Sequence, residues 1–577
     1  MMSYNIRKIL AICAIVAAFI ILLPHRTFAE AQQPPAEKIL QPQGLNQTGI
    51  YAIQKLDPNL TGSGVKFAVL CRSNTYVEGQ PQNDYRPDIS HDCFASSKIV
   101  FHDRGTLPAV TSPHSTAACS ILLGSDPNAY NEQLGDLNYQ GIAPQAKADV
   151  YEFWHFLINN VFPQLPPDDD IITASFGSPF DDWWTRGIES LADKYGLTVV
   201  ASIGNGSDAH DSALYPAAGS NVIGVGVIDS VESVNPVINL TNFALAWPEH
   251  SSCGPTGDNR TKPDIVAPGN CLAADEIAYD SYEPTGNWSS FSTSVVAGAA
   301  GLLAQKAKQT QGLYPAVSPQ GGNCVIKAIL LNSARKLPYW HKGQLSKDDD
   351  HLVPLDYAQG AGLLDALSAY QHLIAGRAEP GKVKNIGWDL NNLDKNKNIY
   401  NLYISEPVGK YIVATAAWNN HFSDVYPFDA LPEKNADLQI ELWAVDKNNF
   451  SEHLLDYSDS TADNLEHIYF PADANYTDYK IIVSFSPNNS GPTSERYALA
   501  WNVVPQSDKS SIVWYDLNSD GIVNNSDFDI LVDNMLTSVQ SPNRYCFGDI
   551  NNDGTIDGAD IQLLLNHFNA KADWYTK

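Results

Sequence analysis

Positive charge is scarce in this sequence: 36 Lys and Arg stand against 65 Asp and Glu in 577 residues, a formal net charge of −29. A chain so acidic repels phosphate backbones, which excludes nucleic acid as a partner. Long apolar runs are scarce too. The stretch Ile9 to Leu23 falls short of the ~20 apolar residues that a membrane-spanning helix needs. It follows Arg7 and Lys8 and precedes Ala29-Glu30-Ala31, so residues 1–31 read as a secretory signal peptide. The expectation is an exported, extracytoplasmic chain with no stable membrane anchor after signal removal. Cysteine is sparse as well, eight in all, with none at metal-ligand spacing. With Cys13 in the leader, an odd number is left, which leaves at least one thiol unpaired.

What is present begins at the C-terminal end. DLNSDGIVNNSD (Asp516 to Asp527) and DINNDGTIDGAD (Asp549 to Asp560) repeat one pattern, the second starting 33 residues after the first. Each puts oxygen-bearing side chains at positions 1, 3, 5 and 12 and glycine at position 6, where a loop wrapped around one ion turns sharply. The expected metal is calcium, two ions in all. The first set is Asp516, Asn518, Asp520, Asp527 and the Ile522 carbonyl; the second is Asp549, Asn551, Asp553, Asp560 and the Thr555 carbonyl. An amphipathic run follows each loop, FDILVDNML and IQLLLNHF, spaced for a helix that packs on its twin. One loop with one following helix, given twice over residues 512–569, resembles a dockerin, a small α module with two EF-hand-like calcium loops. The resemblance implies a cohesin-type docking partner and a place in an extracellular or cell-surface assembly.

Between leader and repeat the chain changes character. Residues 45–375 alternate apolar runs such as VKFAVL, DIITASFG and NVIGVGVID with helical stretches, the pattern of an α/β domain with a mostly parallel sheet. Over 380–505 helical periodicity fades. YIVATAAW, DLQIELWAV, YKIIVSF and YALAWNVV suggest a β-sandwich of jelly-roll kind.

The α/β region carries the chemistry. PHSTAACSIL from Pro113, ASIGNGSD around Asn205, SSCGPTGDNRTKPDIVAPG from Ser251 and NWSSFSTSVVAGAAGLL from Asn287 resemble, in order and spacing, the signatures of subtilisin-like serine proteases. The resemblance implies a serine endopeptidase acting on polypeptide. Ser290 aligns without gaps on the nucleophile, whereas Ser294 would need a four-residue deletion. His114 falls on the general base, which a serine hydroxyl needs within reach. Asn205 falls on the oxyanion donor, and Ser175-Phe176-Gly177 on the segment that pairs with extended substrate.

Where the family's first strand ends in aspartate, this chain has Cys71, followed by Arg72 and Ser73. The carboxylate that fixes the imidazole tautomer is missing, a loss worth about 10⁴ in turnover. Asp88, Asp92 and Asp103 are the nearby carboxylates. Ser115 and Trp288 replace two glycines of the pattern, and a disulfide from Cys71 to Cys93 or Cys119, or between Cys253 and Cys271, is open. Two functions follow from the resemblance: a working endopeptidase, or a catalytically silent module of the same fold that binds peptide or serves as a scaffold.

Overall fold

The computed structural model describes residues 38–571 apart from 74, 78, 104–110, 133, 207–211, 229–250, 276–277, 287, 338–339, 344–349, 395–396, 447, 506–514, 518–521, 537–547, 549 and 551–554. The leader, Cys546, and the calcium-ligand candidates Asn518, Asp520, Asp549, Asn551 and Asp553 lie outside the described residues.

Seven strands form the main sheet: β1 (Lys66–Cys71), β2 (Lys98–His102), β3 (Lys147–Glu152), β4 (Ile171–Ala174), β5 (Thr198–Ser202), β6 (Val222–Ile228) and β7 (Ile265–Pro268). Their spatial order is β7-β6-β5-β4-β1-β3-β2, and every pair is parallel. The near-continuous apolar strands follow from burial on both faces. Alternation along β1 sends Phe67, Val69 and Cys71 to one core cluster and Ala68 and Leu70 to the other, as a period of two requires.

The first cluster is covered by α1 (Pro113–Leu123), α3 (Ser289–Gln309), α4 (Gly322–Ser333) and α5 (Ala366–Ala375). The second is covered by α2 (Trp183–Tyr195), through Trp184, Ile188 and Leu191. From β1 the chain first builds β2 and β3 on one side, then β4 to β7 on the other. Strand order therefore reverses at β1, and the crevice beyond the carboxyl ends of β1 and β4 is where such sheets place their sites.

From Gly381 to Pro505 the chain forms two further sheets of five and four strands around one core that includes Trp418, Ile440, Ile481 and Trp501. The outer face of the four-stranded sheet is not free. Trp388, Ala417, Leu465, Ala498 and Ala500 belong to the same cluster as α4 and α5. Trp388 Nε1 donates to the Leu373 carbonyl at 3.0 Å, and Thr415 Oγ1 to Asn332 Oδ1 at 3.0 Å. This unit is fused to the α/β layer through a shared core, not tethered to it.

In the C-terminal repeat, α6 (Asn525–Asp533) and α7 (Gly558–Asn566) start alike. Asn524 and Asp557 are their N-caps, and the side chains of Asp527 and Asp560 answer back to the cap N–H at 2.8 and 2.9 Å. Each start is a capping box, with Leu531, Leu564, Val523 and Ile556 packed between the two halves.

Candidate active site

Ser112 caps α1, accepting from Ser115 N–H at 3.2 Å, with Pro113 as the first helical residue. Both are good helix starters, and they set His114 in the first turn. Its imidazole lies 5.5 Å from the Phe291 ring, centroid to centroid. His114 is exposed at the mouth of a cavity, yet enough protein surrounds the ring for desolvation to lower its pKa.

Trp288 caps α3 without a side-chain bond, so Ser289 and Ser290 form its first turn, where backbone N–H groups have no intrahelical acceptor. Ser290 Oγ donates to the Ser175 carbonyl at 3.3 Å, and Ser175 Oγ donates to the Ser290 carbonyl at 3.0 Å. This reciprocal pair fixes the start of α3 to the end of β4. Among the described residues no hydrogen bond joins Ser290 to His114. Ser294, one turn further along α3, lines the cavity instead.

Asn205 follows β5 past Gly204, whose φ of +113° and 2.6 Å gap between an added Cβ and Ser252 Oγ admit only glycine. Asn205 Oδ1 accepts from both the N–H and the O–H of Ser289, each at 2.7 Å. With its oxygen engaged, the amide NH₂ is left to donate. Ser202 Oγ lies 2.8 Å from Ser289 Oγ on the buried side. Neither serine stood out in the sequence, because no local pattern links them to Asn205.

After Ser175, Phe176 packs its ring at 5.0 Å from Phe153. Gly177 leaves no room for a Cβ beside Leu214 and the Tyr215 carbonyl, and Ser178 exchanges two 2.8 Å backbone bonds with Tyr215.

Cys71 ends β1 with its thiol buried. Desolvation pushes its pKa up to about 11, against the opposing effect of a hydrogen bond from the Ser115 side chain, so it stays a neutral thiol. The carboxylates expected from the sequence are engaged elsewhere, Asp103 with Arg86 Nε at 3.0 Å and Tyr85 OH at 2.7 Å and Asp88 with Ser90 N–H at 2.9 Å; Glu152 of β3, buried and paired in register with Cys71, accepts from His155 N–H at 3.0 Å and does not line the cavity. Asp92 begins a short 3₁₀ turn, and none of the three aspartates lines the cavity. Trp288 is 37 % exposed and does not line the cavity.

The disulfides do not form: Cys71, Cys93, Cys119, Cys253, Cys271 and Cys324 are free thiols. Cys271 Sγ packs into the core, 2.9 Å from where a Cβ on Gly44 would stand, while Cys253 lies on a segment bridged to Ser212.

The carboxyl end of a parallel α/β sheet thus carries a helix-start serine, a histidine and a clamped amide. Residues 86–362 match the model of the subtilase family and residues 514–569 that of the dockerin type I domain. The chain thus carries a subtilase-family domain followed by a type I dockerin. The subtilase match begins after β1 and so does not include Cys71.

Among curated relatives, tripeptidyl-peptidase 2 of Drosophila melanogaster is 26 % identical over 357 residues, 55 % of this chain and 22 % of that protein. The human membrane-bound transcription factor site-1 protease is 28 % identical over 246 residues, 41 % of this chain and 20 % of that protein. This chain therefore spans well under two thirds of the length of the relatives it matches. A solved structure, the PatG macrocyclase in complex with peptide, is 16 % identical, covering 58 % of this chain and 98 % of that one with a TM-score of 0.39.

Proposed function

We propose that this chain is a secreted serine endopeptidase of the subtilase type, held in a larger assembly through calcium-dependent binding of its dockerin to a cohesin-type partner. The observation that carries the reading is the double clamp of Ser289 on Asn205 Oδ1, which orients a side-chain amide beside the N-terminus of α3, where Ser290 sits. Ser290 Oγ attacks the scissile carbonyl. His114, kept neutral by desolvation, takes its proton and returns it to the leaving amine. The Asn205 amide and the N–H groups at the start of α3 hold the oxyanion. Extended substrate pairs with the backbone of Ser175-Phe176-Gly177. Cys71, a neutral thiol, supplies no charge to hold the imidazolium, which makes slow turnover the expectation.

Asp516, Asp527 and Asp560 are each at most 3 % exposed, and buried carboxylates call for counter-charge. With the Ile522 and Thr555 carbonyls they make an all-oxygen donor set, which suits calcium. Bound calcium would supply that counter-charge and cross-link each loop to the start of its helix.

The test is hydrolysis of unfolded casein, with calcium present, by the native chain, Ser290→Ala and Cys71→Asp. Ser290→Ala is expected to abolish turnover, and Cys71→Asp to raise it by about 10² or more, out of the ~10⁴ that an orienting carboxylate is worth. Activity that survives Ser290→Ala refutes the assignment. Silence in both the native chain and Cys71→Asp refutes the endopeptidase and leaves a module that binds peptide without cleaving it.

A further inference from the structure

A cavity of about 230 Å³ lies between the end of β1, the start of α1 and the face of α3. It has room for several waters at roughly 30 Å³ each. Among the described residues, the titratable ones lining it are Cys71, Arg72 and His114, with no Asp or Glu. Hydroxyls make up much of its remaining polar wall: Ser112, Ser115, Thr173, Ser175 and Ser294.

Thr173 is the telling one. It is 3 % exposed, and its Oγ1 is buried with no hydrogen-bond partner. Register pairs it with Val69 of β1, so it faces the same side of the sheet as Val69 and Cys71. Native structures rarely leave such a group unsatisfied; an acceptor atom inside the cavity would satisfy it.

The wall also says what kind of acceptor. The unpartnered Thr173 hydroxyl, the exposed Arg72 at the rim and the lack of an acid among the described lining residues favour an anion. Arg72 as the one fixed cation among the described lining residues suits a single charge better than a phosphate dianion. Leu70, Ala118 and Leu122 add an apolar side, which suits the short hydrocarbon stem of an organic acid.

We propose that this cavity binds a carboxylate, which accepts a hydrogen bond from the His114 imidazole and supplies the negative charge that Cys71 does not. The proposal rests on the reading of His114 as general base. The carboxylate stays ionised, forms no covalent bond and exchanges no electrons. Its source is either a free short-chain acid or the acidic side chain of a bound peptide, and the two are separable.

The experiment follows hydrolysis of an uncharged peptide by the full calcium-loaded chain against sodium formate or acetate, with sodium chloride as the ionic-strength control. The expected result is a saturable rise in kcat of at least about tenfold, a fraction of the ~10⁴ at stake. The acid limb of the pH profile should move to higher pH, since an adjacent anion favours the imidazolium. Thr173→Val should raise the half-saturating formate concentration several-fold. In the second arm the peptide carries one Asp or Glu at successive positions with no acid added. A gain of the same size at one position, no longer increased by formate, assigns the source to the substrate.

A flat response in both arms, with Cys71→Asp cleaving the uncharged peptide, overturns the carboxylate site and leaves the peptidase reading intact. No cleavage by Cys71→Asp and no labelling of Ser290 by a fluorophosphonate overturns both. Should Cys71→Asp fail to fold, ¹³C-formate relaxation on the native chain and Thr173→Val decides: equal broadening by the two proteins overturns the site.

Discussion

Ser289→Ala separates the aim of Asn205 from its presence. Asn205 Oδ1 is held by two donors of one residue, the backbone N–H and the hydroxyl of Ser289, and alanine removes only the second. Deleting an oxyanion donor outright costs about 3–4 kcal/mol of transition-state stabilisation, and this is the loss expected for Asn205→Ala. Losing one of two orienting bonds costs less. A net hydrogen bond is worth about 0.5–1.5 kcal/mol, so Ser289→Ala should lower kcat roughly 2- to 12-fold at ~1.4 kcal/mol per decade. KM should barely move, because the amide acts on the oxyanion and not on the ground-state carbonyl.

Steady-state kinetics on a peptide amide gives both constants. Ser202→Ala is the control: it removes the hydroxyl behind Ser289 while leaving both bonds to Asn205, and should change kcat less than twofold. Ser289 is wholly buried, so thermal unfolding of each variant shows whether a loss in rate is a loss of fold. A Ser289→Ala defect that falls on KM, or one as large as that of Asn205→Ala, refutes the clamp.

Asp264 is wholly buried between the ammonium groups of Lys262 and Lys327; Asp264→Asn should cost about 3–5 kcal/mol in urea unfolding by leaving those cations without their counter-charge, and a loss below about 1 kcal/mol contradicts that. His421 bridges Asp193 of α2 at 2.9 Å and Glu495 of the second layer at 3.3 Å, and its hydrogen bonds to Asp193 and then Glu495 push its pKa up to about 10. Because the folded value lies above the unfolded one of about 6.5, its stabilisation is complete below that pH and is lost as pH rises toward 10. The Tm gap between native and His421→Asn should therefore close over that range, and a gap that widens is the contrary result. Chelation with EDTA should open residues 515–571 to proteases while the α/β layer stays resistant, since binding energy at such loops is folding energy; equal resistance with and without chelator counts against calcium there.

The sequence made legible what chemistry imposes locally. Pro113-His114, Gly204-Asn205 and Ser290 stand out as candidates because each sits beside a backbone feature that its neighbours declare, and the two DxNxDG loops stand out because a loop wrapped around one ion constrains six positions; Ser289, the partner of Asn205, does not. Contacts made across the chain were illegible for the opposite reason. Trp388 and Ala498 look like ordinary strand residues, and nothing near them says that their outward face packs on α4 and α5. From Phe67 to Leu70 the VKFAVL run is apolar at every position, so only the sheet shows which face each residue takes. That division decides the meaning of Cys71. On the face shared with Phe67 and Val69 it stands toward α1 and α3, bordering the same cavity as His114, Thr173 and Ser294. One more or one fewer residue in β1 would have turned it toward α2 and away from the histidine. The same parity that puts a thiol where the resemblance calls for a carboxylate also leaves the space beside it lined with donors, so the missing charge and the place to receive one arise from a single strand end.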